Sequence, residues 1–205
     1  MFSITLICMG KLKERFYTEA AAEYAKRLKA YCDFQLIELP ECRLPEDPND
    51  TQIAQGLQKE AELIRAKLPK GCFFCVLTPE GKLLSSEQLA DTLRQAKGSG
   101  RSNACFLIGS SFGIAPEIKK LADIQLSMSK MTFPHHLARV MALEQLYRAL
   151  GLTSPVCSVC VWVVSACSCD AAGFAHATSV AASRTSTNII ATTFFIVFPP
   201  SFFFK

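Results

Sequence analysis

The sequence predicts an α/β protein in which a mainly parallel sheet carries helices on both faces. Three observations predict it. Short apolar runs alternate along the chain with segments of helical periodicity, the order expected of parallel strands joined by crossover helices. The runs are close to continuously apolar, as strands buried on both sides are. A composition of 50% hydrophobic and 20% charged residues over 205 residues supplies the core of one domain with an appendage, and excludes a disordered chain or a multidomain machine.

Residues 2–9 form the first strand, and Gly10 ends it. The next segment places Phe16, Ala20, Tyr24 and Leu28 at helical spacing with charges between them. Phe34–Leu39 is a second strand, followed by an acidic loop with Pro40, Pro45 and Pro48. Asp50 or Thr51 caps a helix carrying Ile53, Leu57, Ala61 and Ile64, which ends near Pro69 and Gly71. Cys72–Leu77 is the third strand, and Thr78–Lys82 (TPEGK) reads as a turn. Ser85 or Ser86 caps a helix through Leu89, Leu93 and Ala96, and Gly98 to Gly100 stops it before the strand Ala104–Ile108. Pro116 opens a short helix to Leu121, because proline is preorganised for a first helical position. Ile124–Met128 is a fifth strand; a loop over Ser129–Pro134 leads to a last helix, His135–Leu150, closed by Gly151.

Charge divides the chain in two. In residues 154–205 only Arg184, Lys205 and Asp170 are charged, so nearly all of the 22 Lys and Arg and 18 Asp and Glu precede Ser154. We therefore expect a folded domain over residues 1–153 and a low-charge tail, rich in Cys, Ser and Phe, outside that fold. The net charge of +4 permits an RNA or phosphate partner without requiring one. The opening MFSITLICM has no basic leader, so it reads as a buried strand rather than a signal peptide, and the domain is expected in the cytoplasm with reduced thiols. Cys72 and Cys75 form a CxxC inside an apolar run, which makes them core cysteines rather than redox or metal groups. Cys157, Cys160, Cys167 and Cys169 have zinc-like spacing but no polar framework around them, and no metal is expected.

Ligands of such sheets bind beyond the carboxyl ends of the strands, which points to the loops Leu77–Lys82, Gly109–Ala115 and Met128–Pro134. Neither GxGxxG after the first strand nor GxxxxGK[ST] is present, so neither a dinucleotide fold nor a P-loop ATPase is signalled. Gly109 and Gly113 allow close approach of backbone to a ligand, as they would in a plain strand-to-helix turn. The third loop joins Met128, Ser129, Lys130, Met131, Thr132 and Phe133 to His135 and His136. Such a mixture of apolar cover and polar groups suits an adenosine-bearing ligand, and a packed loop with a capping histidine is the plainer alternative.

These loops, in this order, resemble the RlmH family of SPOUT RNA methyltransferases. The resemblance covers about residues 1–150 and rests on ITLICMGKLKERFYTEAAAEYAKRL, VLTPEGK, FLIGSSFG and above all LSMSKMTFPHHLARVMALEQLYRA. It implies a deep trefoil knot with the last helix threaded through a loop, a homodimer, and a pocket for S-adenosyl-L-methionine. It further implies cofactor contacts at Leu77, Gly109, Met128, Ser129, Lys130, Met131, Thr132 and Phe133. The implied substrate is a pseudouridine in the intersubunit hairpin of large-subunit rRNA, methylated at N3. That nitrogen must lose its proton to become nucleophilic. His135 and Glu144 are the candidates for moving it; Arg148 and Arg139 are the candidates for binding phosphate or the base anion. Glu144 and Arg148 also stand at the spacing of an ordinary helical ion pair.

Two departures from the family pattern matter. Ser110 stands where a second glycine usually succeeds the first, and the family's short basic end, finishing in Tyr-His, is replaced by the low-charge tail that begins TSPVCSVCVWVV. Three origins of the tail stay open: an out-of-frame or read-through end, a membrane-associated segment over Leu152–Cys169, and a disordered or partner-binding extension. The alternative to an enzyme is a non-catalytic RNA- or cofactor-binding knotted dimer that lost its substrate-facing end. A tail-anchored protein and a thiol oxidoreductase have less in their favour.

Overall fold

The computed structural model describes residues 2–153. The tail beyond them, with its four cysteines and most of the uncharged stretch from Leu152, lies outside the described residues, so its nature and the domain boundary at residue 153 stay expectations. Ten elements succeed one another: β1 (Ser3–Met9), α1 (Arg15–Leu28), β2 (Asp33–Leu39), α2 (Asp50–Lys67), β3 (Phe73–Leu83), α3 (Ser86–Gly98), β4 (Asn103–Ile108), α4 (Pro116–Leu121), β5 (Ile124–Ser127) and α5 (His135–Thr153). The strands form one sheet in the order β2-β1-β4-β3-β5, and every pairing is parallel. The α/β class and order of elements read from the sequence are those observed.

Alternation along the strands divides the core. Ile4, Leu6, Cys8, Cys75 and Phe106 face Ala21 and Leu28 of α1, Leu89 and Leu93 of α3, and Leu143 and Leu146 of α5. Ile7, Met9, Phe74, Val76 and Leu107 face Ala61 and Ile64 of α2 and Ile118 of α4. Helix α5 packs on both α1 and α3. Cys72 and Cys75 are buried and belong to opposite faces, because positions three apart on a strand point in opposite directions. Burial pushes the Cys75 thiol up to about 12, which leaves it protonated and unreactive.

Local chemistry sets the helix starts. Asn49 accepts from Gln52 N at 2.8 Å while Gln52 Oε1 accepts from Asn49 N at 3.0 Å, a reciprocal box that places the cap of α2 just before the expected Asp50 or Thr51. Ser85 and Gln88 repeat it at α3. Three expectations need correction. The buried stripe of α1 is centred on Ala21 and Leu28, and Phe16 is exposed. Gly151 does not close α5, which continues to Thr153. The TPEGK segment lies within β3 rather than ending it: Leu77 and Lys82 both pair with Leu126, so residues 78–81 bow out between them and pairing with β5 resumes at Lys82 and Leu83. A Cβ on Gly81 would lie 2.6 Å from Leu126 C, so the close approach of these strands requires glycine.

Candidate active site

Three segments meet beyond the core of the sheet. The stretch from Leu77 to Glu80, the loop following β4 and the loop following β5 enclose a cavity of about 480 Å³, with His135 and Ala138 of α5 on its wall. The loop after β4 is tightly folded: Gly113 N donates to Ser110 O at 3.0 Å, and Gly113 has φ 96°. A Cβ on Gly109 would lie 2.4 Å from Ile114 Cγ1 and 2.5 Å from Gly113 O, so glycine there is a packing requirement. The loop after β5 is shaped by its own serines: Ser127 Oγ donates to Ser129 O at 2.8 Å, and Met131 N donates to Ser129 Oγ at 3.1 Å.

Seven of the eight positions expected to contact cofactor line this one cavity: Leu77, Gly109, Met128, Ser129, Met131, Thr132 and Phe133. Lys130 is the exception; it is exposed and off the lining. Ile108, Leu126 and Ala138 line it too, and no local pattern singles them out in the sequence. They lie there because strand ends and the first turn of α5 converge, an effect of register rather than of composition. Lys119 of α4 also reaches the cavity and donates to Glu80 Oε1 at 3.2 Å.

The lining fits an adenosine-bearing group on two observations. Apolar walls from Leu77, Ile108, Leu126 and Phe133 give a flat ring system apolar cover, beside the tight bend in which Ile114 and the Gly113 carbonyl pack against Gly109. Within the same wall Thr78 Oγ1 is buried without a well-formed hydrogen bond, although it stands near enough to the Glu80 carboxylate to help lower that group's pKa. Buried hydroxyls are ordinarily paired, so this one is available to a bound polar group.

The residues considered for proton transfer and RNA binding separate. His135 lines the cavity. Its pKa is held below the ordinary 6.5 by burial first and then by His136, against the opposing pull of Glu41. It is therefore a neutral acceptor near pH 7. Glu144 and Arg148 do not line the cavity; they lie down α5, roughly 20 Å along the helix axis for Arg148 at 1.5 Å per residue. Glu144 is bonded to Arg148 and accepts from Gln145 Nε2 at 2.7 Å. Arg139, expected to face phosphate, is fully buried. Its guanidinium donates to Glu38 Oε1 at 2.5 Å, to Gly10 O at 2.9 Å and to Met9 O at 3.3 Å, so it ties α5 to the ends of β1 and β2 and offers no cation to solvent.

A family profile described as "Predicted SPOUT methyltransferase" matches residues 2–155. The chain belongs to the SPOUT methyltransferase family. Among its relatives, the Ribosomal RNA large subunit methyltransferase H of Exiguobacterium sibiricum is 44% identical over 146 residues, covering 71% of this chain and 92% of its own. The protein of the same name from Pelotomaculum thermopropionicum is 43% identical over 148 residues, covering 72% of this chain and 92% of its own. Resemblance to the RlmH group, seen first in the loops, thus extends over 146 to 148 residues of this chain. A solved structure of a probable methyltransferase from Bordetella pertussis Tohama I is 17% identical with a TM-score of 0.44, over 72% of this chain and 93% of its own, a likeness too slight to argue from. Among the described residues no helix is long and apolar enough to cross a membrane.

Proposed function

We propose that this chain is an S-adenosylmethionine-dependent methyltransferase of large-subunit ribosomal RNA, acting at N3 of a pseudouridine in the intersubunit hairpin. The observation that supports it most is the convergence of Leu77, Gly109, Met128 and Phe133 on one cavity that also holds His135. The relatives at 44% and 43% identity are methyltransferases of that RNA by name. The reading carries with it the family's trefoil knot, a homodimer and a cytoplasmic setting.

When bound, S-adenosylmethionine supplies an electrophilic methyl group on a sulfonium. The protein's work is then orientation. Leu77, Met128 and Phe133 would cover the adenosine, with the exposed Met131 at the rim of the cavity, and Thr78 Oγ1 would offer it a hydrogen bond. Neutral His135 accepts the imide proton of the target base, directly or through water. Arg148, 56% exposed and paired with Glu144, is the exposed cation for RNA phosphate, and in the proposed homodimer a second copy would bring its Arg148 and Glu144 toward the cavity that this copy's own helix carries them away from.

Two measurements test this. Calorimetric titration of S-adenosylmethionine into the full-length chain and into one ending at Thr153, followed by methyl transfer to ribosomes lacking the mark, is expected to show binding by both and transfer by the full-length chain. Binding without transfer favours the non-catalytic dimer, and no binding refutes the cofactor assignment. If His135 is the acceptor, the rate falls as pH drops through a value below 6.5, because protonation removes the lone pair. His135→Gln is expected to lose about 100-fold in rate together with that acid limb; a variant that keeps the limb assigns the proton elsewhere.

A further inference from the structure

The loop after β4 is held from behind by two carboxylates. Ser110 Oγ donates to Glu60 Oε2 at 2.8 Å, and Glu60 Oε1 accepts from Cys42 N at 2.8 Å. The next residue is gripped separately: Ser111 N and Ser111 Oγ donate to Glu41 Oε1 at 3.1 and 3.0 Å. Glu60 comes from α2, and Glu41 and Cys42 from the loop after β2, so one carboxylate joins two loops that are nowhere neighbours in sequence.

Glu60 is only 4% exposed. A carboxylate in that position is costly unless its oxygens are satisfied, and Ser110 satisfies one of the two. The hydroxyl of Ser110 is therefore turned away from the cavity that its backbone lines, toward Glu60, and does not crowd a ligand. Its backbone carbonyl meanwhile receives Gly113 N, which closes the bend around Gly109. A loop already fixed in its bound shape spares the ordering cost of binding.

We infer that Ser110 and Glu60 form a latch that presets the Gly109–Gly113 bend, which makes Ser110 a positioning residue for the cofactor. This rests on the proposal that the cavity takes S-adenosylmethionine. The latch transmits to that bend any displacement of the loop after β2, because Cys42 N and Ser110 Oγ share the carboxylate.

The test uses the full-length chain, Ser110→Ala, Glu60→Gln and the double variant, with calorimetric affinity for S-adenosylmethionine and amide hydrogen exchange of Gly113 in the ligand-free protein. Ser110→Ala is expected to weaken binding about 10-fold and to speed Gly113 exchange by a comparable factor. The double variant is expected to lose less than the two single losses added, since the Ser110–Glu60 bond is common to both, while Glu60→Gln also disturbs the bond to Cys42 N. Unchanged affinity and exchange in Ser110→Ala, or losses that simply add, overturn the latch. If the unaltered chain binds no S-adenosylmethionine, the functional proposal fails, while exchange still judges the latch: faster exchange in Ser110→Ala supports it and unchanged exchange refutes it.

Discussion

Arg139 and Arg148 stand nine residues apart on the same helix, and each is bonded to a glutamate, yet they do different work. Arg139 has a side chain 1% exposed and reaches across to Glu38 on β2; Arg148 is 56% exposed and reaches one turn back to Glu144. The first pair closes the structure between elements, and the second decorates one helix. Identical chemistry is thus set to different ends by what stands opposite, which a helix periodicity does not report.

The difference is sharpest if the inner cation is removed. Arg139→Ala leaves Glu38 and the carbonyls of Met9 and Gly10 without their donor, and is expected to cost about 3 kcal/mol or more in thermal or denaturant unfolding. A cost near zero would show that water replaces the guanidinium and that burial is not what distinguishes the two.

A third pair lies between these extremes. Arg101 donates to Asp123 Oδ2 at 2.6 Å with both side chains about a third exposed, and Phe74 N donates to the same oxygen at 2.8 Å. Burial pushes the Asp123 carboxyl upward, but Arg101 and the Phe74 amide outweigh it and hold the pKa below 3.8. A carboxyl depressed in the folded state stabilises the fold above its unfolded pKa, near 3.9, and that stability is lost as pH falls through the folded value. Asp123→Asn is therefore expected to remove about 1 kcal/mol at pH 7 and less at a pH below the folded value, seen as a flatter acid limb in melting temperature against pH. An equal loss at both would trace the effect to the Phe74 hydrogen bond rather than to charge.

Arg148→Ala completes the series. It is expected to change stability by less than about 0.5 kcal/mol, while lowering methyl transfer to ribosomal RNA. A stability loss as large as that of Arg139→Ala would erase the distinction between the inner and outer arginines; unchanged transfer would remove Arg148 from RNA binding.

The legible features are those that depend on neighbours in sequence. Apolar runs mark the five strands, Pro116 the start of α4, Ser85 the start of α3, and the LSMSKMTFP segment the cavity wall. The features that sequence misplaces depend on distant partners. Nothing near Arg139 says that Glu38 lies beside it, and nothing in TPEGK says that β5 offers Lys82 and Leu83 a strand to pair with. Ser110 shows the same limit: only Glu60, fifty residues earlier and directly behind it, decides that its hydroxyl points away from a ligand.

The reach of Arg139 also bears on how the chain folds. Its bonds to Glu38, Gly10 and Met9 span 101, 129 and 130 residues, so they close only after the sheet has gathered its ends. Contacts of that range are made late, when the entropy of closing so long a segment has already been met by other pairings. The Arg139 bonds should then slow escape from the native state far more than they speed arrival at it, so their gift to the molecule is persistence.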